Sequence, residues 1–192
     1  MKKIKLIINI ILPSIVCVIG LNFIFGELYF YPLLFGVVLG LFNWKLHKKK
    51  PITGVLLSII VSYATFCLAY FGWGGINKLI GLVFENMGHR FYGKESIALK
   101  TFVMSFFLIA PLLVFYAFGF VFNITKTKLT KSIVVLSIII LLSYSVFDLY
   151  LTSTNNILPK SFSVFLWQFI MALGLQLILY QQELKKVFYK DK

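Results

Sequence analysis

Charge is scarce in this sequence. Only 13% of its 192 residues are charged and 60% are hydrophobic, whereas a soluble domain carries about 25% charged and about 45 to 50% apolar residues. An ordinary water-soluble globule is thereby excluded. Acidic residues are scarcer still, six against nineteen basic ones, and no two aspartates face each other across apolar runs as a membrane aspartyl enzyme needs. Cysteine is limited to Cys17 and Cys67, both inside apolar runs. Without a CxxC or a Cys/His cluster there is no metal ribbon and no disulfide framework. GxSxG, HExxH and Gly-rich phosphate loops are all missing. No catalytic motif, metal site or cofactor is therefore expected.

The net charge of +13 raises nucleic acid as a partner, but the lysines sit at the ends of apolar runs. A nucleic-acid binder spreads them along one face or groove, interleaved with stacking aromatics. Nucleic acid is set aside, and the basic residues are assigned to anionic headgroups on the cytoplasmic side of a bilayer.

What is present is a series of apolar runs at about 4–25, 28–44, 52–72, 101–123, 132–151 and 162–180, set against roughly 20 residues needed to cross the hydrocarbon. Tyr29, Tyr31, Trp44, Trp73, Tyr150, Trp167 and Tyr180 mark their ends, as an aromatic belt does. The expectation is an all-α integral membrane protein, one polytopic domain over 1–192 with about six transmembrane helices.

Orientation follows from the lysines, because basic residues in short loops stay on the cytoplasmic side. Fourteen lie in one set of segments: the amino terminus, Lys45 to Lys50, Lys126 to Lys131 and the carboxyl tail. The alternate set holds five, Lys78, Arg90, Lys94, Lys100 and Lys160, nearly balanced by acidic residues. Both termini are placed in the cytoplasm. Eighteen lysines to one arginine, with abundant Ile, Phe and Asn, point to a bacterial source and its cytoplasmic (inner) membrane.

The one long connection, 73–100, is placed outside. Ile76, Leu79, Ile80, Val83, Phe84 and Met87 recur at helical spacing on one face, so an amphipathic or re-entrant helix is expected there. Gly72, Gly74 and Gly75 are read as the joint that lets it leave the third span at an angle.

Polar residues inside apolar runs carry the functional reading, because an unsatisfied polar group in hydrocarbon is costly and turns toward other helices or a cavity. In the fifth run Ser137, Tyr144 and Asp148 share a face, and in the sixth Gln168, Ala172 and Gln176 do. The antiparallel arrangement puts Tyr144 and Asp148 at the depth of Trp167 and Gln168, near Asn22 and Glu27 of the first run. His89 and Arg90 lie in the outer loop. These eight, Asn22, Glu27, His89, Arg90, Tyr144, Asp148, Trp167 and Gln168, form a candidate outer ligand pocket. His47, among the lysines, reads as a solvated loop residue. Gly36 and Gly40 make a GxxxG, and Ser58 with Ser62 and Thr65 with Ala69 give small-xxx-small pairs, so spans two and three can approach other helices closely. Pro13, Pro32 and Pro111 are expected to bend their spans.

Three functions fit this pattern. The first is a small membrane protein that binds or passes a small solute, or serves as a membrane subunit of a larger complex. The second is a homo-oligomeric pore or effector. The third is an enzyme acting on a lipid-linked substrate at the outer leaflet with His89, Arg90, Asp148 and Glu27.

Overall fold

The computed structural model describes residues 2–23, 30–86, 104–153 and 160–188, and they are helical apart from short connections. In chain order they form α1 (Lys2–Phe23), α2 (Phe30–Phe42) and α3 (Pro51–Asn86). A π-helical turn (Met104–Ile109) then runs directly into α4 (Ala110–Val121), followed by α5 (Lys128–Ser153), α6 (Lys160–Leu179) and α7 (Gln181–Phe188).

Three helices, α1, α3 and α5, are long and apolar enough to cross a membrane. The bent pair of α6 and α7 makes a fourth if it is counted as one span. Two further apolar helices, Phe30–Phe42 and Ser105–Val121, fall short of that length. The six hydropathy runs therefore all appear as helices, but fewer than six meet the length requirement alone. The thirteen residues of α2 rise roughly 20 Å, against a hydrocarbon core of roughly 30 Å.

A second departure concerns the segment after residue 72. No joint forms at Gly72, Gly74 and Gly75: α3 runs unbroken for 36 residues, roughly 54 Å. Gly74 and Gly75 have open space where a side chain would stand, so neither serves a turn or a close approach. A helical glycine costs about 1 kcal/mol relative to alanine, which the apolar turns on either side outweigh. Ile76 is exposed, not packed on the bundle, and so is Lys78. Leu79 is exposed as well; Ile80, Val83 and Phe84 belong to α3 but their side chains lie outside the described residues, as do residues 87–103 altogether.

The prolines are better accommodated than expected. Pro32 is in the first turn of α2, where its missing N–H deprives no helical bond. Pro111 falls at the start of α4, just after the π-turn. Pro13 alone sits well inside its helix.

The core is organised around α6, whose Gln168, Met171, Ala172, Leu175, Gln176 and Ile178 are all buried. Along α1 the buried residues Leu6, Ile10, Pro13, Ser14 and Cys17 have the spacing of one helical face. Leu6 and Ile10 cluster with Tyr180, just past the end of α6. At the other end of α1, Gly20 lies against Leu34 of α2, and Gln168 reaches the carbonyl of Tyr31. The two helices are thus antiparallel, and the bundle has a lysine-rich end and a far end.

Between these ends runs a column of rings. Trp167 meets Phe35 at 6.0 Å, Phe35 meets Phe118 edge-on at 5.9 Å, Phe118 stacks on Phe122 at 5.9 Å, and Phe122 stacks on His47 at 4.8 Å. Each such pair contributes about 0.5 to 1.5 kcal/mol beyond its buried area. The GxxxG of α2 makes a close approach, and α3 is its partner: a methyl group added at Gly36 would stand 2.6 Å from the Ile59 Cα, and one at Gly40 would stand 3.0 Å from the Val55 Cα.

His47 departs from its expected solvated position. It is 9% exposed and forms an antiparallel bridge with Phe122, flanked by Lys48 N–H to the Val121 carbonyl (3.0 Å) and Asn123 N–H to the Leu46 carbonyl (3.3 Å). Its Nε2 donates to the Gly40 carbonyl at 2.9 Å. Gly54 clears the space, since a Cβ there would lie 2.2 Å from the ring. The Lys48 ammonium donates to the Gly119 carbonyl, a last-turn acceptor that a cation suits.

Candidate functional site

Three of the eight predicted pocket residues have described side chains. Trp167 and Tyr144 are half-buried against the main core cluster, and Gln168 is buried. Asn22 and Asp148 belong to α1 and α5, but their side chains lie outside the described residues, as do Glu27, His89 and Arg90 altogether.

Trp167 and Gln168 are held by backbone groups of two other elements. The indole Nε1–H of Trp167 donates to the Phe106 carbonyl at 2.9 Å. In the five-residue register of a π-helix that carbonyl would look to residue 111, which is proline and has no N–H. The indole thus brings a donor to a carbonyl whose five-residue partner has none. Beside it, Gln168 Nε2 donates to the Tyr31 carbonyl at 3.2 Å, in the first turn of α2. Ser105, at the start of the π-turn, donates to the Ala69 carbonyl of α3 at 2.6 Å. At its far end the bundle is therefore laced by side chain to backbone bonds.

Below this level the polar groups of the interior are not all paired. Gln168 Oε1, both carboxamide atoms of Gln176, and Ser14 Oγ are buried without a hydrogen-bond partner. Gln176 and Ser14 are 0% exposed and Gln168 is 2%. Ala172 lies between the two glutamines on the same face of α6, so the stripe spans two turns, roughly 12 Å. Pairing Leu6 and Ile10 with Tyr180 at one end and Gly20 with the Gln168 level at the other sets the antiparallel register. It puts Ser14 within about one turn of the depth of Gln176. Ser137 of α5 is at that depth too, since a Cβ on Gly174 would stand 2.8 Å from its Oγ.

No family model matches this chain, and no curated protein or solved structure is similar to it.

Among the described residues no three of His, Cys, Asp or Glu come together as a metal would require, and the side chains named around α6 are all uncharged. A carboxamide offers two donors and an acceptor, and a hydroxyl one donor and an acceptor. Leaving such groups buried and unpaired costs about 1 to 3 kcal/mol each. These atoms have almost no exposed surface, so a water or a small polar molecule could pair with them only if the helices part around it.

The sequence pointed to the glutamine face but not to its partners. Tyr31 and Phe106 contribute carbonyls, which no side-chain pattern reveals. Ser14 was legible in principle, lying four residues after Ile10 and three before Cys17 on an apolar face. Asn43 and His47 were missed as well. Each is buried at the lysine-rich end and keeps one unpaired acceptor-capable atom, Asn43 Oδ1 and His47 Nδ1.

Proposed function

We propose that the chain is a six-span membrane protein of a bacterial cytoplasmic membrane, with its lysine-rich end in the cytoplasm. It binds or passes a small uncharged solute through the interior along α6. The apolar helices support the membrane setting. The observation that carries the solute reading is the stripe of Gln168 and Gln176, buried in an apolar bundle with three carboxamide atoms unpaired. A charged solute would need a compensating charge, because burying an unpaired ion is far more costly than burying an amide. A solute carrying both a donor and an acceptor would pair with these atoms as the helices part around it. Tyr144, Trp167 and Asp148 stand toward the far end, where the solute would enter from outside.

Native mass spectrometry of the protein released from detergent tests this. The parent protein should retain a small molecule, and Gln176→Leu should lose it. If instead the parent carries nothing and Gln176→Leu melts at a higher temperature, the carboxamide is an unfilled cost and the solute reading falls.

A further inference from the structure

The lysine-rich end holds another buried glutamine, and both atoms of its carboxamide are paired. At Tyr180 the chain turns by 64° between α6 and α7, and the first residue after the bend, Gln181, is 1% exposed. Its Nε2 donates to the carbonyl and the hydroxyl of Thr125 at 2.8 and 2.9 Å, and its Oε1 accepts from the Thr127 hydroxyl at 2.7 Å. Thr127 also caps α5: its Oγ1 accepts from the Thr130 N–H at 3.2 Å, and Thr130 Oγ1 donates to the Thr125 carbonyl at 2.7 Å. One carboxamide thus fastens the bend to the loop that starts α5. On the other side Leu184 and Val187 of α7 pack against the cluster of Leu6, Ile10 and Tyr180. The short helix is pinned at its start and along its apolar face, so it lies across the end of the bundle.

This pinning gathers positive charge. Lys185 and Lys186 on α7 are exposed, as are Lys126, Lys128 and Lys131 around the threonines and Lys5 just before Leu6. All six lie within about a turn of a residue that fixes the bend. Glu183 is the acidic residue described on this face. A helix lying across a bundle end, apolar side inward and lysines outward, has the form of an interfacial element that meets anionic lipid.

We infer that this bend is a docking site for the phosphate of an anionic phospholipid, in which Gln181 sets the geometry and the lysines of α7 and of the 125–131 segment supply the charge. The inference rests on the membrane setting proposed above, but its failure is separable. It is read as lipid retention, whereas the solute reading is tested through Gln176.

The test uses protein purified in mixed micelles of phosphatidylglycerol and phosphatidylcholine, with bound lipid counted by native mass spectrometry. The parent should retain phosphatidylglycerol selectively. The double variant Lys185→Gln, Lys186→Gln should weaken that retention at least about tenfold, given the usual contribution of a lysine near an anionic surface. Gln181→Leu, with charge unchanged, should weaken it less but measurably. Lys78→Gln, at the far end, should leave it unchanged. The double variant changes only exposed groups and should melt with the parent, so the outcome does not depend on Gln181→Leu folding. Equal retention of the two lipids by the parent, or undiminished selectivity in the double variant, would overturn the proposal. So would loss of the lipid to millimolar inorganic phosphate, which would make the site one for a free anion.

Discussion

The crossing of α2 with α3 and the continuity of α3 past its glycines make opposite demands on two Gly→Ala substitutions. At Gly36 the new methyl group would meet the Ile59 Cα at 2.6 Å, the Ser58 carbonyl oxygen at 2.8 Å and the Ile59 nitrogen at 2.9 Å. All three are backbone atoms, which no rotamer change can move. Relief requires the helices to separate by roughly 1 Å, and a gap of that size forfeits a quarter to a half of each neighbouring contact's attraction. Overpacking of this kind costs about 1 to 3 kcal/mol. Alanine returns about 1 kcal/mol of helix propensity, leaving a net loss of up to about 2 kcal/mol. At Gly74 a methyl group would meet nothing within 4 Å, and only the propensity gain of about 0.5 to 1 kcal/mol remains. For a chain of this size a change of 1 kcal/mol moves the melting temperature by about 2 to 4 °C. Melting in detergent, followed by loss of the monodisperse chromatographic peak, should show Gly36→Ala lower and Gly74→Ala slightly higher than the parent. A Gly36→Ala protein stabilised as much as Gly74→Ala would refute the crossing geometry, and a destabilised Gly74→Ala would mean that the glycines act as a joint after all.

Trp167→Phe keeps a ring against Phe35 but leaves the Phe106 carbonyl without its indole donor, so it should lower stability by about 1 to 2 kcal/mol; an unchanged melting temperature would show that the carbonyl is satisfied elsewhere. His47→Phe preserves stacking on Phe122 and loses the bond to Gly40, whereas His47→Ala also opens a cavity beside Gly54. Alanine should therefore be worse by about 2 kcal/mol, and equal melting of the two would place the ring in solvent. For topology, single cysteines at Lys49 and Lys190 in a Cys17→Ser, Cys67→Ser background should resist an impermeant thiol reagent in intact cells, while one at Lys94 should react; the reverse pattern inverts the assignment. Asp148→Asn should reduce solute retention without lowering the melting temperature, and unchanged retention in both Asp148→Asn and Asp148→Ala would remove Asp148 from the site.

Local patterns in the sequence were good guides to helices and to helix faces, and poor guides to what closes the bundle. Gly36 and Gly40 make the close approach that their spacing suggested, although the spacing did not name α3 as the partner. Gln168, Ala172 and Gln176 share a buried face, because an i, i+4 repeat has the same meaning wherever the helix sits. His47 was misread because its neighbours in the chain are lysines, while the residues that bury it, Gly54 and Phe122, come from two other segments. The turn at Tyr180 escaped notice for the same reason: Gln181 finds its partners more than fifty positions away. The glycines at 72–75 gave a false signal of a joint, since glycine permits a turn but does not impose one.

The π-turn at Met104–Ile109 gives the fourth apolar stretch one residue more than a plain α-helix would fit into the same height. A single residue turns a helix by about 100°. The extra residue therefore lets Ser105 face α3 while Val114 and Phe118, further along, face the central core. Removing it would not shorten the helix harmlessly: one of these two faces would swing out of register with its partner. A one-residue deletion within 104–109 should therefore be far more damaging than most single substitutions there. Related chains that lack the extra residue would have to rebuild either the contact with Ala69 or the ring column through Phe118.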